Sequence, residues 1–131
     1  MKKRLLSVVL ALTMVVGSFN VVFAGSDSAT LIDTDYAYAT AYAECEAYTG
    51  FASTSCYPTD EVTSVSSYVS ADLYYGTRLI GDSGSDSSGF AGTLNVSVEL
   101  AYYAIEAVKV ESSHEVTLDG VDISTDLRAL R

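Results

Sequence analysis

Residues 36–48 read Tyr36-Ala37-Tyr38-Ala39-Thr40-Ala41-Tyr42-Ala43-Glu44-Cys45-Glu46-Ala47-Tyr48. Alanine or cysteine holds every odd position. Tyrosine, threonine or glutamate holds every even one. Successive side chains of a strand point to opposite faces, so this stretch offers one small, flat face and one aromatic, acidic face. Wound as a helix, tyrosines at two-residue spacing would scatter around the cylinder. Residues 29–48 therefore read as a long strand with the Ala/Cys face inward, since these are the more often buried types. An alanine face buries little apolar area, so a facing sheet must bring larger side chains to it.

The pattern continues outward from that segment. Thr49-Gly50 opens a turn-rich stretch through Ser53, Thr54 and Ser55 to Cys56, Tyr57 and the single proline, Pro58. Residues 62–75 form a second half-buried strand. Val65, Val69, Ala71 and Leu73 share one parity, with Ser64, Ser66, Ser70 and Asp72 opposite. Thr77 to Ile80 add a short strand, and Gly81-Asp82-Ser83-Gly84-Ser85-Asp86-Ser87-Ser88-Gly89 reads as a loop by composition. Residues 93–110 align Leu94, Val96, Val98, Leu100 and Tyr102, with a bend expected near Ala104–Ala107 where the pattern breaks. These bulky residues are the expected partners of the alanine face. Asp119-Gly120 between Val116-Thr117-Leu118 and Val121-Asp122-Ile123 is a strong hairpin signal. Its two-residue register sets Leu118 against Val121 and Val116 against Ile123. A frayed helical turn is expected over Thr125–Arg131. The fold class that follows is all-β, an antiparallel β-sandwich with long strands and a C-terminal hairpin; a small closed β-barrel is the alternative. A membrane barrel is disfavoured for want of aromatic girdles around lipid-facing alternation.

The N-terminus carries an address. Lys2, Lys3 and Arg4 precede the apolar run Leu5–Val16, and Val22-Phe23-Ala24 has a small-residue ending. This predicts a secretory signal peptide over residues 1–24, cleaved after Ala24, and a single domain over residues 25–131. The cationic start suits a bacterial exporter. The rest of the chain shows no second apolar span, no lipid-anchoring cysteine directly after the cleavage point, where Gly25 stands, and no hydrophobic C-terminal tail, so the product is expected to be secreted, whether released or wall-associated. Loss of three cations with the leader leaves four basic residues against 17 acids, a formal charge of −13. Such a chain cannot bind nucleic acid through phosphate contacts and is repelled by anionic lipid heads. The two cysteines, Cys45 and Cys56, form an even count in an exported chain, which predicts a disulfide of ~3 kcal/mol.

Few residues suggest chemistry, and no enzyme is expected. His114 is the only histidine, with Ser112, Ser113 and Glu115 beside it, and is expected at the surface near a hairpin edge. Glu44 and Glu46 share a strand face at ~6.7 Å, a spacing glycosidases use but also that of an ordinary solvated acidic face. Asp82 and Asp86 in the Gly/Ser stretch are candidate ligands for Ca²⁺, although their spacing is not that of an EF-hand. No other cofactor is expected. The chain holds 10 tyrosines, and Tyr36, Tyr38, Tyr42 and Tyr48 form a stripe. Such rings pack across strands, stack on sugars or anchor an interface. The function expected is that of an exported non-catalytic protein acting in surface association, adhesion or self-assembly, its partner a second copy, a cell-surface glycan or a protein. The alternative is a soluble ligand-binding or bacteriocin-like factor.

Overall fold

The computed structural model describes residues 21–23, 25–88 and 92–131. The described residues form nine strands: β1 (Val21–Phe23), β2 (Ser26–Asp33), β3 (Ala37–Cys45), β4 (Thr49–Pro58), β5 (Val65–Tyr75), β6 (Thr77–Ser88), β7 (Leu94–Ala101), β8 (Lys109–Leu118) and β9 (Val121–Leu130). They form two sheets, β1-β2-β3-β4-β7 and β6-β5-β8-β9, with every pairing antiparallel. The two sheets share one core, which is the expected sandwich rather than a closed barrel. The described residues contain no helix.

The alternation of β3 puts Ala37, Ala39, Ala41, Ala43 and Cys45 in the core. A methyl-sized group contributes roughly 0.8 kcal/mol on burial, so this face gains little by itself. Its larger neighbours come from the opposite sheet. β3 lies over β8 and β9, which supply Val110, Val116, Leu118, Ile123 and Leu127. The expected partner, the segment beginning at Leu94, instead joins the alanine strands' own sheet as β7, beside β4. Gly50 shows how closely the sheets approach. A Cβ there would stand 2.7 Å from Val110 Cγ2 and 3.1 Å from Leu73 Cδ1.

Several expectations are corrected. Residues 29–48 are not one strand. The chain turns at Thr34–Tyr36, where Thr34 Oγ1 accepts the N–H groups of Tyr36 and Ala37. A register shift between Thr30 and Ile32 lets both Leu31 and Ile32 reach the core. The turn region expected at Thr49–Pro58 is β4. Gly50, Ala52, Thr54 and Cys56 face inward while Phe51, Ser53, Ser55 and Tyr57 face outward. Of the Gly/Ser stretch, Gly81 to Ser88 belong to β6, which is paired along its length with β5, and Gly89 lies outside the described residues. Its small residues suit a strand that is crowded from one side: a Cβ on Gly84 would lie 3.2 Å from Val96 Cγ1 of β7. The expected helical turn at the C-terminus is the end of β9.

The disulfide is absent. Cys45 and Cys56 are both buried free thiols. Cys45 sits opposite Gly50 at the turn of the β3–β4 hairpin, whereas Cys56 sits opposite Ala39 at its far end. Six residues of strand, roughly 20 Å, separate them, against the ~7 Å limit for bridged Cα atoms. The pairing that buries both thiols also keeps them apart.

Both sides of the sandwich are closed over. Asp27, 3% exposed, reaches from β2 to accept the Arg128 N–H of β9 at 3.0 Å. Gly25 donates its N–H to the Leu130 carbonyl and accepts that of Cys45. On the other side β6 packs against β7. Of the segment expected to be a leader, residues 1–20 and 24 lie outside the described residues. Val21–Phe23 forms β1, paired with Ser26–Ser28.

Candidate binding face

The outer face of the five-stranded sheet is built in cross-strand rows. Tyr38 pairs with Tyr57, and their rings stack at 6.5 Å between centroids and 26° between planes. The next row along carries Thr30, Thr40, Ser55 and Asn95, and the one after it Ser28, Tyr42, Ser53 and Ser97. Tyr42 leans on Phe51, centroids 6.1 Å apart, in the row shared by Ser26, Glu44 and Glu99. Aromatic pairs therefore bracket a strip of hydroxyls and one amide. Tyr42 has its pKa raised, first by burial and then by the neighbouring Glu44 carboxylate.

Of the four tyrosines singled out in the sequence, Tyr38 and Tyr42 stand on this face. Tyr36 does not: it lies in the turn before β3 and packs against the core. Tyr48 lies beyond β3, with its ring 6.2 Å from that of Tyr103 and its hydroxyl bonded to Glu106. Tyr57, Phe51 and Tyr103 complete the ring pairs and were missed. The period-2 pattern Phe51-Ser53-Ser55-Tyr57 was the available signal for two of them, hidden by the turn-like composition of that stretch.

Glu44 and Glu46 do come together. With Glu99, Phe51 and Tyr103 they line a cleft of about 510 Å³ at one end of the face. No lysine or arginine lines it, so the carboxylates can accept hydrogen bonds or a positive charge from outside. Asp82 and Asp86 are not brought together. Four residues apart on β6, they are separated by roughly 13 Å, and each accepts the N–H of the next residue. The described residues contain no cluster of three or more metal-ligating side chains.

His114 is not at the surface. It is 1% exposed and ties the two sheets together from within. Its Nδ1 lies 2.9 Å from Thr54 Oγ1 of the opposite sheet, and its Nε2 lies 2.7 Å from Ser112 Oγ. Thr54 spends its hydroxyl proton on the Tyr68 carbonyl. Hydrogen-bond accounting then makes Nδ1 the donor to Thr54 and Nε2 the acceptor from Ser112. Burial lowers the imidazole pKa to about 4, so it stays neutral. The Ser112–His114 contact has the reach of a nucleophile and its base, but Ser112 is itself 4% exposed within the core.

The outer face of the four-stranded sheet differs in kind. Its cations are already paired: Arg78 with Asp72, and Lys109 and Arg128 with Glu111. Ser113 donates to Asp126 and Thr117 to Asp122. No family model matches the chain, and neither a curated protein nor a solved structure matches it.

Proposed function

We propose that this chain is an exported, non-catalytic protein that associates with an extracellular surface through the outer face of its five-stranded sheet. The observation that carries this reading is the ring-bracketed hydroxyl strip, Tyr38/Tyr57 on one side and Tyr42/Phe51 on the other. Rings that are partly exposed and held by cross-strand packing present area at low entropic cost. The capped sides of the sandwich favour a contact through a face over one through an edge. Asp27 points inward beside β9, and β6 carries Asp82 and Asp86; inward and edge charges both oppose strand addition. Export is supported by the order of Lys2-Lys3-Arg4, the apolar run and Ala24, and by Gly25, whose backbone N and O are both tied to the sandwich just after the expected cut.

The test is association of the purified protein with bacterial cells and isolated cell walls, alongside self-association by light scattering. Changing Tyr38, Tyr42 and Tyr57 together to Ser should reduce surface retention at least about tenfold while the circular dichroism spectrum is kept. Retention equal to the parent in a folded triple variant would remove the reading.

A further inference from the structure

We infer that the ligand of this face is an extended, uncharged polysaccharide. The inference rests on the adhesive reading above and names its partner. Four observations lead to it.

The first is composition. Among the outward positions of β2, β3, β4 and β7 the apolar side chains are aromatic or alanine. The outward positions carry no valine, leucine, isoleucine or methionine. A protein partner is held by a contiguous apolar centre from which water is driven, with polar groups at its rim. Here the arrangement is reversed, with the polar strip central and the rings on either side. A sugar chain fits that order. Its C–H faces lie on rings, and its many hydroxyls need short, uncharged partners between them.

The second is availability. The side chains of Thr40, Ser53, Ser55, Asn95 and Ser97 make no hydrogen bond to another described residue, and they stand together in adjacent rows between the two ring pairs. Each can give and take hydrogen bonds with a ligand without first breaking an internal one.

The third is charge. The outward residues of this sheet include Asp33, Glu44 and Glu99 and no lysine or arginine. Glycans bearing sulfate, phosphate or uronate would meet like charge on the face and on the molecule, so the complementary polymer is neutral.

The fourth is shape. The ring of Tyr38 and that of Tyr42 originate four residues apart on one strand, roughly 14 Å, with an open strip between them. A chain laid along the strands would reach both ring pairs, whereas a single sugar would reach one. An extended polymer therefore gains a second contact that a monosaccharide does not.

The experiment is a depletion assay of the full chain on insoluble cellulose, chitin and β-1,3-glucan, with polygalacturonate gel as the anionic control. The expected result is retention on at least one neutral polymer, undiminished at 0.5 M salt. Tyr38→Ala with Tyr57→Ala should weaken it about tenfold or more, and Thr40→Val, which keeps shape and loses one hydroxyl, a few-fold. Tyr68→Ala, on the other sheet, should leave it unchanged. Retention on polygalacturonate alone, loss of retention in salt, indifference to the Tyr38 and Tyr57 changes, or no retention on any neutral polymer would each overturn the inference. Cell walls treated with periodate separate the two levels. Adhesion that survives periodate yet still depends on Tyr38, Tyr42 and Tyr57 identifies a protein partner and leaves the adhesive reading standing. Adhesion independent of those tyrosines removes both.

Discussion

His114 is the largest fully buried polar side chain among the described residues. Its ring is shared between Thr54 on one sheet and Ser112 on the other, so it both fills the core and links its two halves. The folded imidazole has a pKa of about 4 against 6.5 for the exposed group. The unfolded chain therefore takes up the proton first. Stability is unaffected above pH 6.5 and falls as pH drops from there to about 4, by roughly 3 kcal/mol in total. Urea midpoints measured between pH 7.5 and 4.5 should show this slope, and His114→Gln should flatten it. The thiols make an equally direct test. Burial raises both, Cys56 to about 11, so neither should react with a thiol reagent in the native protein at pH 7.5. Two thiols should appear on denaturation, and a reductant should not change the melting temperature. A mass two daltons low, or melting lowered by reductant, would restore the disulfide.

At the scale of elements, the hairpin of β8 and β9 was the most legible feature of the sequence. Asp119 at φ 48° and Gly120 at φ 82° form the two-residue turn, and the register pairs Leu118 with Val121 as the sequence implied. Asp119 has a second role that no spacing revealed. Its carboxylate accepts from the Thr63 and Ser64 N–H groups and the Thr63 hydroxyl, holding the approach to β5. Burial pushes its pKa up, but these hydrogen bonds outweigh that and the net shift is downward. This contribution is present above the ordinary carboxylate pKa near 3.8 and is lost as pH falls through the lower folded value. Asp119→Ala should cost about 1–2 kcal/mol through the lost bonds and the left-handed backbone, and Asp119→Asn less. Equal stability of Asp119→Ala and the parent in urea would contradict this.

The alternations of β3 and β5 were legible for the same reason as the hairpin, since each keeps period 2 with strong contrast between faces. β4 and β6 were not. Their glycines, serines and threonines look like loop, and only the crowding of Gly50 by Val110 and Leu73, or of Gly84 by Val96, explains why small residues belong there. The C-terminal strand was obscured by Arg128 and Asp126, although Ile123, Leu127 and Ala129 alternate with them into the core. Of the proposed binding face, Tyr38 and Tyr42 could be read directly. Tyr57 and Phe51 depended on recognising β4, and the unpaired hydroxyl strip depended on the register across four strands.

For the whole molecule, two faces of one sandwich have been given opposite treatments. One carries cations, each paired with a carboxylate. The other leaves hydroxyls unpaired between aromatic rings, on a chain whose net charge of −10 discourages anionic partners. The capped sides of the sandwich separate these surfaces, and their inward and edge charges oppose strand addition. The measurement that tests this division most directly is oxidative footprinting of the protein free and adsorbed to its surface. Tyr38, Tyr57 and Phe51 should lose most of their labelling on adsorption, while Tyr68 and Tyr75, on the opposite sheet and 40% and 54% exposed, keep theirs. Protection of Tyr68 and Tyr75 with Tyr38 and Tyr57 still labelled would contradict the assignment of the binding face.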